Sequence, residues 1–325
     1  MSGPVRLGQA AGETDTGRKR RRNEDAFVCA PPLFAVADGM GGAQAGEVAS
    51  GLAAAALRES TVNAGGEARV AELVREANRR VHQRATSDAA ASGMGTTMTV
   101  ALVDPDGTVS FGHVGDSRAY LLRGTKLEQL TDDHSLVAEL VRRGELSPAQ
   151  AEVHPQRSVI TRALGTDPDV AVDTFSIAPE PGDIVLLCSD GLSSFVDGGT
   201  IEQVITRFRY DLRGAAHGLI HAANRAGGED NITAVLFELV ARDDSEPDER
   251  TREYPDERTR EYLTEPDDTE TLHDLRSPAV VDTIVMPAVG AYAPEAGPGK
   301  RALALLVIVI LIALILLLIW RGLAS

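Results

Sequence analysis

Short apolar runs that end in a turn of glycine and aspartate constrain this chain more than any other feature. Leu33-Phe-Ala-Val-Ala-Asp-Gly39 and Ile184-Val-Leu-Leu-Cys-Ser-Asp-Gly191 each carry a carboxylate to the end of a strand-like segment. Residues 97–103, 108–114, 118–122, 184–188 and 233–239 are short, β-branched or alternating, and bounded by turns, which predicts strands. They mostly follow one another without a crossover helix, so antiparallel pairing is expected rather than a doubly wound parallel sheet. Gly115-Asp116, between two of them, reads as a hairpin-type connection.

Helices are expected between the strand groups. Val70, Leu73, Val74, Ala77 and Val81 form one apolar stripe, which predicts a helix from Glu67 to Ala85. Further helices fit Glu47 to Leu57, Thr200 to Arg209 and Arg213 to Arg225. Residues 132–165 read as a helical excursion between two strands, a flap beside a cleft. It holds a helix over Ser135 to Arg143 and a second, short one opened by Ser147-Pro-Ala-Gln150, with Ser at the N-cap, Pro at N1 and Gln at N3. Only 4% of the chain is aromatic against 43% apolar, so aliphatic side chains must fill the core.

The regular periodicity stops near residue 240, and residues 1–240 are expected to form one domain. Residues 241–299 hold 16 acidic and 6 basic side chains, a net of −10. Such a stretch cannot bury enough apolar surface to offset chain entropy, so a disordered linker is expected. It contains one eight-residue repeat, Pro247-Asp-Glu-Arg-Thr-Arg-Glu-Tyr followed at once by Pro255-Asp-Glu-Arg-Thr-Arg-Glu-Tyr. Its threonines Thr251, Thr259, Thr269 and Thr271 lie among acids, where a solvated spacer is the simpler reading and phosphorylation the alternative. Residues 302–320 are an uncharged apolar run, about 28 Å long as a helix, which predicts a transmembrane helix. Lys300 and Arg301 precede the run and only Arg321 follows, a bias that favours a cytoplasmic domain on a single-pass membrane anchor. The first residues carry no apolar h-region, in line with that orientation.

The acidic segments around Glu24-Asp25, Asp38, Asp116, Asp190 and Asp230-Asn231 are the candidate chemistry. One Asp-Gly pair is usually a turn; the set carries more information, because carboxylates do not enter buried strand ends without a compensating cation or hydrogen bonds. Oxygen donors collected in one cleft suit Mg²⁺ or Mn²⁺, and two such ions with one arginine suit phosphate-ester hydrolysis. His217 and His221, at i, i+4 spacing, lack a following Glu and read as surface or half-buried helix histidines rather than zinc ligands. Cys188 lacks the spacing of a cysteine phosphatase loop and reads as a buried structural thiol. With Cys29 as the only other cysteine, a reduced cytosolic domain is expected. The net charge of −16 argues against a nucleic-acid partner.

In order along the chain, Asp15-Thr-Gly17, Arg20, Asn23-Glu-Asp25, Asp38-Gly-Met-Gly-Gly42, Met94-Gly-Thr-Thr97, His113-Val-Gly-Asp-Ser-Arg118, Thr131-Asp-Asp-His-Ser135, Asp190-Gly191 and Asp230-Asn-Ile-Thr233 resemble the metal-dependent serine/threonine phosphatases of type 2C, the bacterial members above all. The resemblance spans about residues 8–240. It implies an α+β fold, a four-layer α/β/β/α sandwich of two antiparallel sheets flanked by helices. It also implies Mn²⁺ or Mg²⁺ as two ions with a weaker third. Asp38 would bridge both ions, with the Gly39 carbonyl on one and Asp190 and Asp230 on the other. Glu24 and Asp25 would act on the metal shell directly or through water, and Asp116 with Asp190 would make the third site. Arg20, selected by its spacing to Glu24, would grip the substrate phosphate; Asn231 and Ser117 would support the site. A metal-held hydroxide would then attack phosphorus in line.

Some relatives place His after the Asp-Gly pair as a proposed general acid; Met40 stands there in this chain. The substrates implied are phosphorylated proteins, and the opponents Ser/Thr kinases. Two rival readings are a non-catalytic phosphoprotein sensor on the same fold and a two-metal phosphodiesterase or nuclease. Complete ligands speak against the first, and the acidic net charge with no long basic stripe against the second; within the run Arg18-Lys-Arg-Arg-Arg22, residues Arg18, Lys19 and Arg22 read as a basic surface patch.

Overall fold

Two antiparallel sheets form because most strands of this chain are apolar on both faces. The computed structural model describes residues 5–41, 45–61 and 65–242. The first sheet contains β1 (Val5–Asp15), β7 (Arg118–Arg123), β8 (Lys126–Gln129), β10 (Asp183–Cys188) and β11 (Ile232–Ala241), in the order β1-β11-β10-β7-β8. The second contains β2 (Asp25–Ala30), β3 (Leu33–Met40), β5 (Met98–Val103), β6 (Val109–Val114) and β9 (Asp173–Ile177), in the order β2-β3-β5-β6-β9, with the short β4 (Gly95–Thr96) paired to β3. All these pairings are antiparallel.

Side chains alternate between two separate cores, which is why the strands read as continuous apolar runs. In β10, Val185 and Leu187 point between the sheets, where Phe34, Val36, Phe111, Val235 and Phe237 meet them. Ile184, Leu186 and Cys188 point outward against α6 (Gly198–Arg207) and α7 (Leu212–Arg225), through Ile201, Ile205, Ala215 and Leu219. On the other side, Leu33, Ala35 and Ala37 of β3 pack on α1 (Ala45–Arg58) and α2 (Glu67–Ser87), through Ala49, Ala53, Val70, Val74 and Val81. The result is the expected helix–sheet–sheet–helix sandwich. Phe34 stacks on Phe237 across its middle, with ring centroids 4.2 Å apart. Few aromatics occur, and two of them hold the centre.

The excursion between β8 and β9 contains α3 (Leu136–Arg142) and α4 (Pro148–Glu152). The capping box at Ser147 forms as expected: its hydroxyl accepts from the Gln150 amide, and the Gln150 side chain accepts from the Ser147 amide. Bridges from Ser135 to Ile160 and from Thr96 to Leu164 close the base of this excursion. The remaining helix, α5 (Asp190–Ser193), is one turn directly after β10.

The Gly115-Asp116 segment corrects the hairpin expectation. β6 pairs with β5 and β9, whereas β7 pairs with β10 and β8, so the segment crosses from one sheet to the other. Gly115 makes that step with φ of 113°, and a Cβ there would collide with Thr97. A sharp crossover with no room for a side chain resembles a hairpin turn in sequence, because both need glycine. The linker 241–299, apart from its first two residues, lies outside the described residues, as do the transmembrane run 302–320, the linker threonines and Gly42. Among the described residues, no helix is long and apolar enough to cross a membrane.

Candidate functional site

Antiparallel pairing brings the acidic segments to one end of the sandwich. Asp25 opens β2 and lies directly opposite Asp38, near the end of β3, in the strand register. Asp190 follows the end of β10 through Ser189, and Asp230-Asn231 immediately precedes β11, whose Ala234 pairs with Cys188 of β10. Asp116 sits in the crossover before β7, whose Arg118 pairs with Cys188. Five carboxylates from five places in the sequence thus converge. Like charges placed opposite each other in a sheet are destabilising, so this convergence is not explained by fold stability.

The electrostatics follow from that crowding. Burial, then Asp25, Asp190, Asp116 and Asp230 in turn, hold the Asp38 carboxyl well above the usual carboxylate range. Asp25 is pushed up to about 7, chiefly by burial and further by Asp190 and Asp230, against hydrogen bonds from Thr233 and Ser189. Asp116 is pushed up to about 7 by burial and then by Asp190 and Asp133. Burial and Asp230 also raise Asp190, while a hydrogen bond with Asp38, and Arg20 and Arg118, act in the other direction. For Arg20, burial opposes the charge, but Asp230, Glu24 and Asp38 outweigh it and raise its pKa.

A second set of side chains fixes the acidic segments. The Ser189 and Thr233 hydroxyls donate to Asp25 Oδ2 at 2.8 and 2.6 Å. Asn231 is a hub: its Oδ1 accepts from the Glu24 amide at 2.8 Å, and its Nδ2 donates to the carbonyls of Thr16 and Arg22 at 2.9 and 2.8 Å. The Thr97 hydroxyl accepts from the Asp38 amide at 3.0 Å and meets the buried Ser117 hydroxyl at 2.8 Å. Gly39 permits close approach: its amide donates to the Glu24 carbonyl at 3.0 Å, and a Cβ there would collide with the carbonyls of Glu24 and Gly46. Arg20 Nη2 donates to Asp230 Oδ2 at 2.7 Å, at the exposed rim.

Two histidines that the sequence reading placed in motifs but gave no role are buried near the site. His134, in the excursion, accepts from the Gly115 amide at Nδ1 (3.0 Å), which places its proton on Nε2, donated to Asp173 Oδ2 at 3.0 Å. Its backbone amide donates to Gly115 O and its carbonyl accepts from Thr161, so one residue ties the crossover, the excursion and β9 together. His113 lies 4.7 Å away, ring to ring, and donates from Nε2 to the Asp132 carbonyl. Their motifs were visible in sequence, but only burial distinguishes a positioning histidine from a surface one.

Other expectations hold. His217 and His221 are exposed on α7, and His217 faces Glu13 at 3.1 Å. Both cysteines are free, and burial pushes the Cys188 thiol up to about 12, which makes it inert. Met40 pairs with Gly95 in the strand register and offers no proton.

Two atoms test whether a cation fits. Asp25 Oδ1 and Asp190 Oδ1 are buried and receive no hydrogen bond. An uncompensated buried carboxylate oxygen is costly, and all the nearby groups in excess are acceptors, which a cation can satisfy and a hydrogen-bond network cannot. Hard oxygen donors of this kind match Mn²⁺ or Mg²⁺. Among the described residues, no group of three or more His, Cys, Asp or Glu side chains has the geometry to hold a metal ion as it stands. The donor set fits such ions in its chemistry, through hard carboxylate oxygens that lack donors.

A protein phosphatase 2C model matches residues 17–219, well over half of the chain. The chain belongs to the protein phosphatase 2C family. It is 40% identical to the serine/threonine phosphatase Stp of Listeria innocua over 237 residues, 69% of this chain and 93% of that one. Among solved structures it is similar to the Mycobacterium tuberculosis serine/threonine phosphatase PstP/Ppp. The TM-score is 0.68 at 38% identity, over 73% of this chain and 100% of that one. It is also similar to a PstP catalytic domain in complex with two manganese ions. Here the TM-score is 0.66 at 37% identity, over 73% of this chain and 99% of that one.

Proposed function

We propose that this chain removes phosphate from phosphoserine and phosphothreonine of proteins, using Mn²⁺ or Mg²⁺ held by the carboxylate cluster. The observation that carries the reading is the pair of undonated buried oxygens, Asp25 Oδ1 and Asp190 Oδ1, within a crowd of like charges. Asp38 would bridge two ions, with the Gly39 carbonyl on one and Asp190 and Asp230 on the other. Glu24 and Asp25 would act in the surrounding shell, and Asp116 with Asp190 would serve a third ion. When bound, the ions lower the pKa of water and neutralise charge on the phosphoryl oxygens.

The protein's own residues do the rest. Arg20 commits one guanidinium donor to Asp230 and keeps the others of its planar fork for phosphate oxygens. Its position at the rim suits the entry of a phosphorylated side chain. Asn231 fixes the backbone of Glu24, Thr97 that of Asp38, and His134 that of Gly115, so the acidic groups keep their spacing as charge develops. Full-length protein is expected to hydrolyse p-nitrophenyl phosphate and a phosphothreonine peptide in Mn²⁺, and to stop in excess EDTA. Undiminished turnover in EDTA would remove the reading.

The cellular setting is part of the proposal. The uncharged run 302–320 supports a single-pass anchor, and Lys300 and Arg301 before it support a catalytic domain on the cytoplasmic side. The substrates would then be phosphoproteins near the membrane, and the opposing enzymes Ser/Thr kinases. The expected result is that full-length protein sediments with the membrane fraction and that a chain ending at residue 299 stays in the supernatant. Equal partitioning of the two would exclude the anchor.

A further inference from the structure

The run Arg18-Lys-Arg-Arg-Arg22 is used by the phosphatase reading only at Arg20. We propose that Arg18, Lys19, Arg21 and Arg22 form a docking strip that selects phosphorylated segments whose flanking residues are acidic or themselves phosphorylated. The proposal rests on the phosphatase reading and adds to it a substrate class.

Three observations carry it. The first is position. The strip lies in the connection from β1 to β2, and Arg20 at its centre reaches Asp230 of the carboxylate cluster at 2.7 Å. A peptide that places a phosphate at Arg20 brings its flanking residues close to the cations adjoining Arg20 in the chain. The connection turns over residues 17–19 and bends at residues 21–22, which keeps the exposed cations beside Arg20.

The second is fixation. The amides of Arg18 and Lys19 both donate to the Gly228 carbonyl, at 2.7 and 3.1 Å, and the Arg22 carbonyl accepts from Asn231 Nδ2 at 2.8 Å. The backbone of the strip is therefore anchored at both ends to the loop that carries Asp230, while its five side chains stay exposed. A charged surface held in place loses less entropy on binding than a mobile one.

The third is charge. Residues 1–240 carry 32 acidic and 23 basic side chains, so five consecutive cations stand out against an acidic domain. Arg22 faces Glu47 at 3.6 Å, with both side chains about half exposed. Among the described residues, no carboxylate pairs with Arg18, Lys19 or Arg21. The acidic remainder of the domain would repel a long polyanion such as a nucleic acid, whereas a short acidic segment fits the strip alone. An exposed ion pair of this kind gives a few-fold at most, and four acting together give about ten-fold, weakening with salt.

The test uses full-length protein in Mn²⁺ and two phosphothreonine peptides, one flanked by alanine and serine and one by aspartate at the same positions. Each variant is normalised to its own turnover of p-nitrophenyl phosphate. The wild-type protein is expected to prefer the aspartate-flanked peptide by about ten-fold in kcat/KM at low salt. The variant R18Q/K19Q/R21Q/R22Q is expected to lose that preference, and R18K/R21K/R22K, which keeps the charge, to retain it. Equal kcat/KM for both peptides in the wild type, or a preference unchanged in the glutamine variant, would overturn the docking strip with phosphatase activity intact. So would strip-dependent sedimentation with phosphatidylserine vesicles in the absence of any peptide preference. No turnover of p-nitrophenyl phosphate by the wild type would instead remove the underlying reading, and the strip with it.

Discussion

Replacing Asp38 with asparagine is expected to abolish turnover in saturating Mn²⁺ while raising the thermal stability of the metal-free protein near pH 8. Both halves follow from one geometry. Asp38 faces Asp25 across the strand register, and Asp190, Asp116 and Asp230 also act on it, so its carboxyl is held well above the usual range. Ionising it in the metal-free protein works against burial and four like charges. Asparagine is nearly the same shape and removes that repulsion, and the Asp38 amide keeps its bond to Thr97. The same change removes the group proposed to bridge two cations. A loss of about 4 kcal/mol of transition-state stabilisation corresponds to roughly a thousand-fold in rate. The measurement is kcat against a phosphopeptide, together with a melting curve in EDTA. Wild-type turnover in the variant would break the catalytic assignment; a lower melting temperature in EDTA would show that the carboxylate stabilises the fold.

The second large effect is a pH dependence. Burial, and then Asp190 and Asp133, push the Asp116 carboxyl up to about 7 from an ordinary value of 3.8. A folded-state pKa raised above the unfolded one means that the native state binds the proton more tightly. The stability contributed by this group is therefore fully present below about pH 4 and is lost as pH rises to about 7. Asp116→Asn cannot lose it. In EDTA, the difference in stability between variant and wild type is expected to grow from near zero at pH 4 to roughly 2–4 kcal/mol at pH 7.5. That is about 5–10 °C in melting temperature for a domain of this size. Asp116 is a cleaner probe than Asp25, whose Oδ2 accepts from Ser189 and Thr233. A flat difference across this range, or one of opposite sign, would show that Asp116 is solvated rather than crowded. Added Mn²⁺ should stabilise the wild type more than the variant at pH 7.5.

Much of the fold was legible in local pattern. The stripe Val70 to Val81 became α2, buried along that face, and the strand segments at 97–103 and 184–188 became β5 and β10 within a residue. The capping box at Ser147 formed as its residue types require. By contrast, β1 gave no strand signal. Its residues include Gly8, Ala10, Ala11 and Gly12, and it is held by pairing with β11, more than two hundred residues away in the chain. A partner that distant leaves no periodicity in the local sequence. The Gly115-Asp116 crossover failed for a related reason: which sheet the next strand joins is decided by its neighbours, not by the turn.

For the site, residue types alone singled out the candidates, because carboxylates at the ends of apolar strands have few uses in a stable core. The chain by itself therefore determined the chemistry on offer: hard oxygen ligands, one arginine suited to phosphate, and an apolar tail run. Only the tertiary structure decided that Asp25 and Asp38 face each other and that Asn231 holds Glu24. It alone showed that His134 grips the crossover and that two buried oxygens go without a donor. Residue identity sets which interactions a group can make. Proximity, burial and competition for donors arise only when distant strands are brought side by side, and those set a carboxylate's pKa and its demand for a cation.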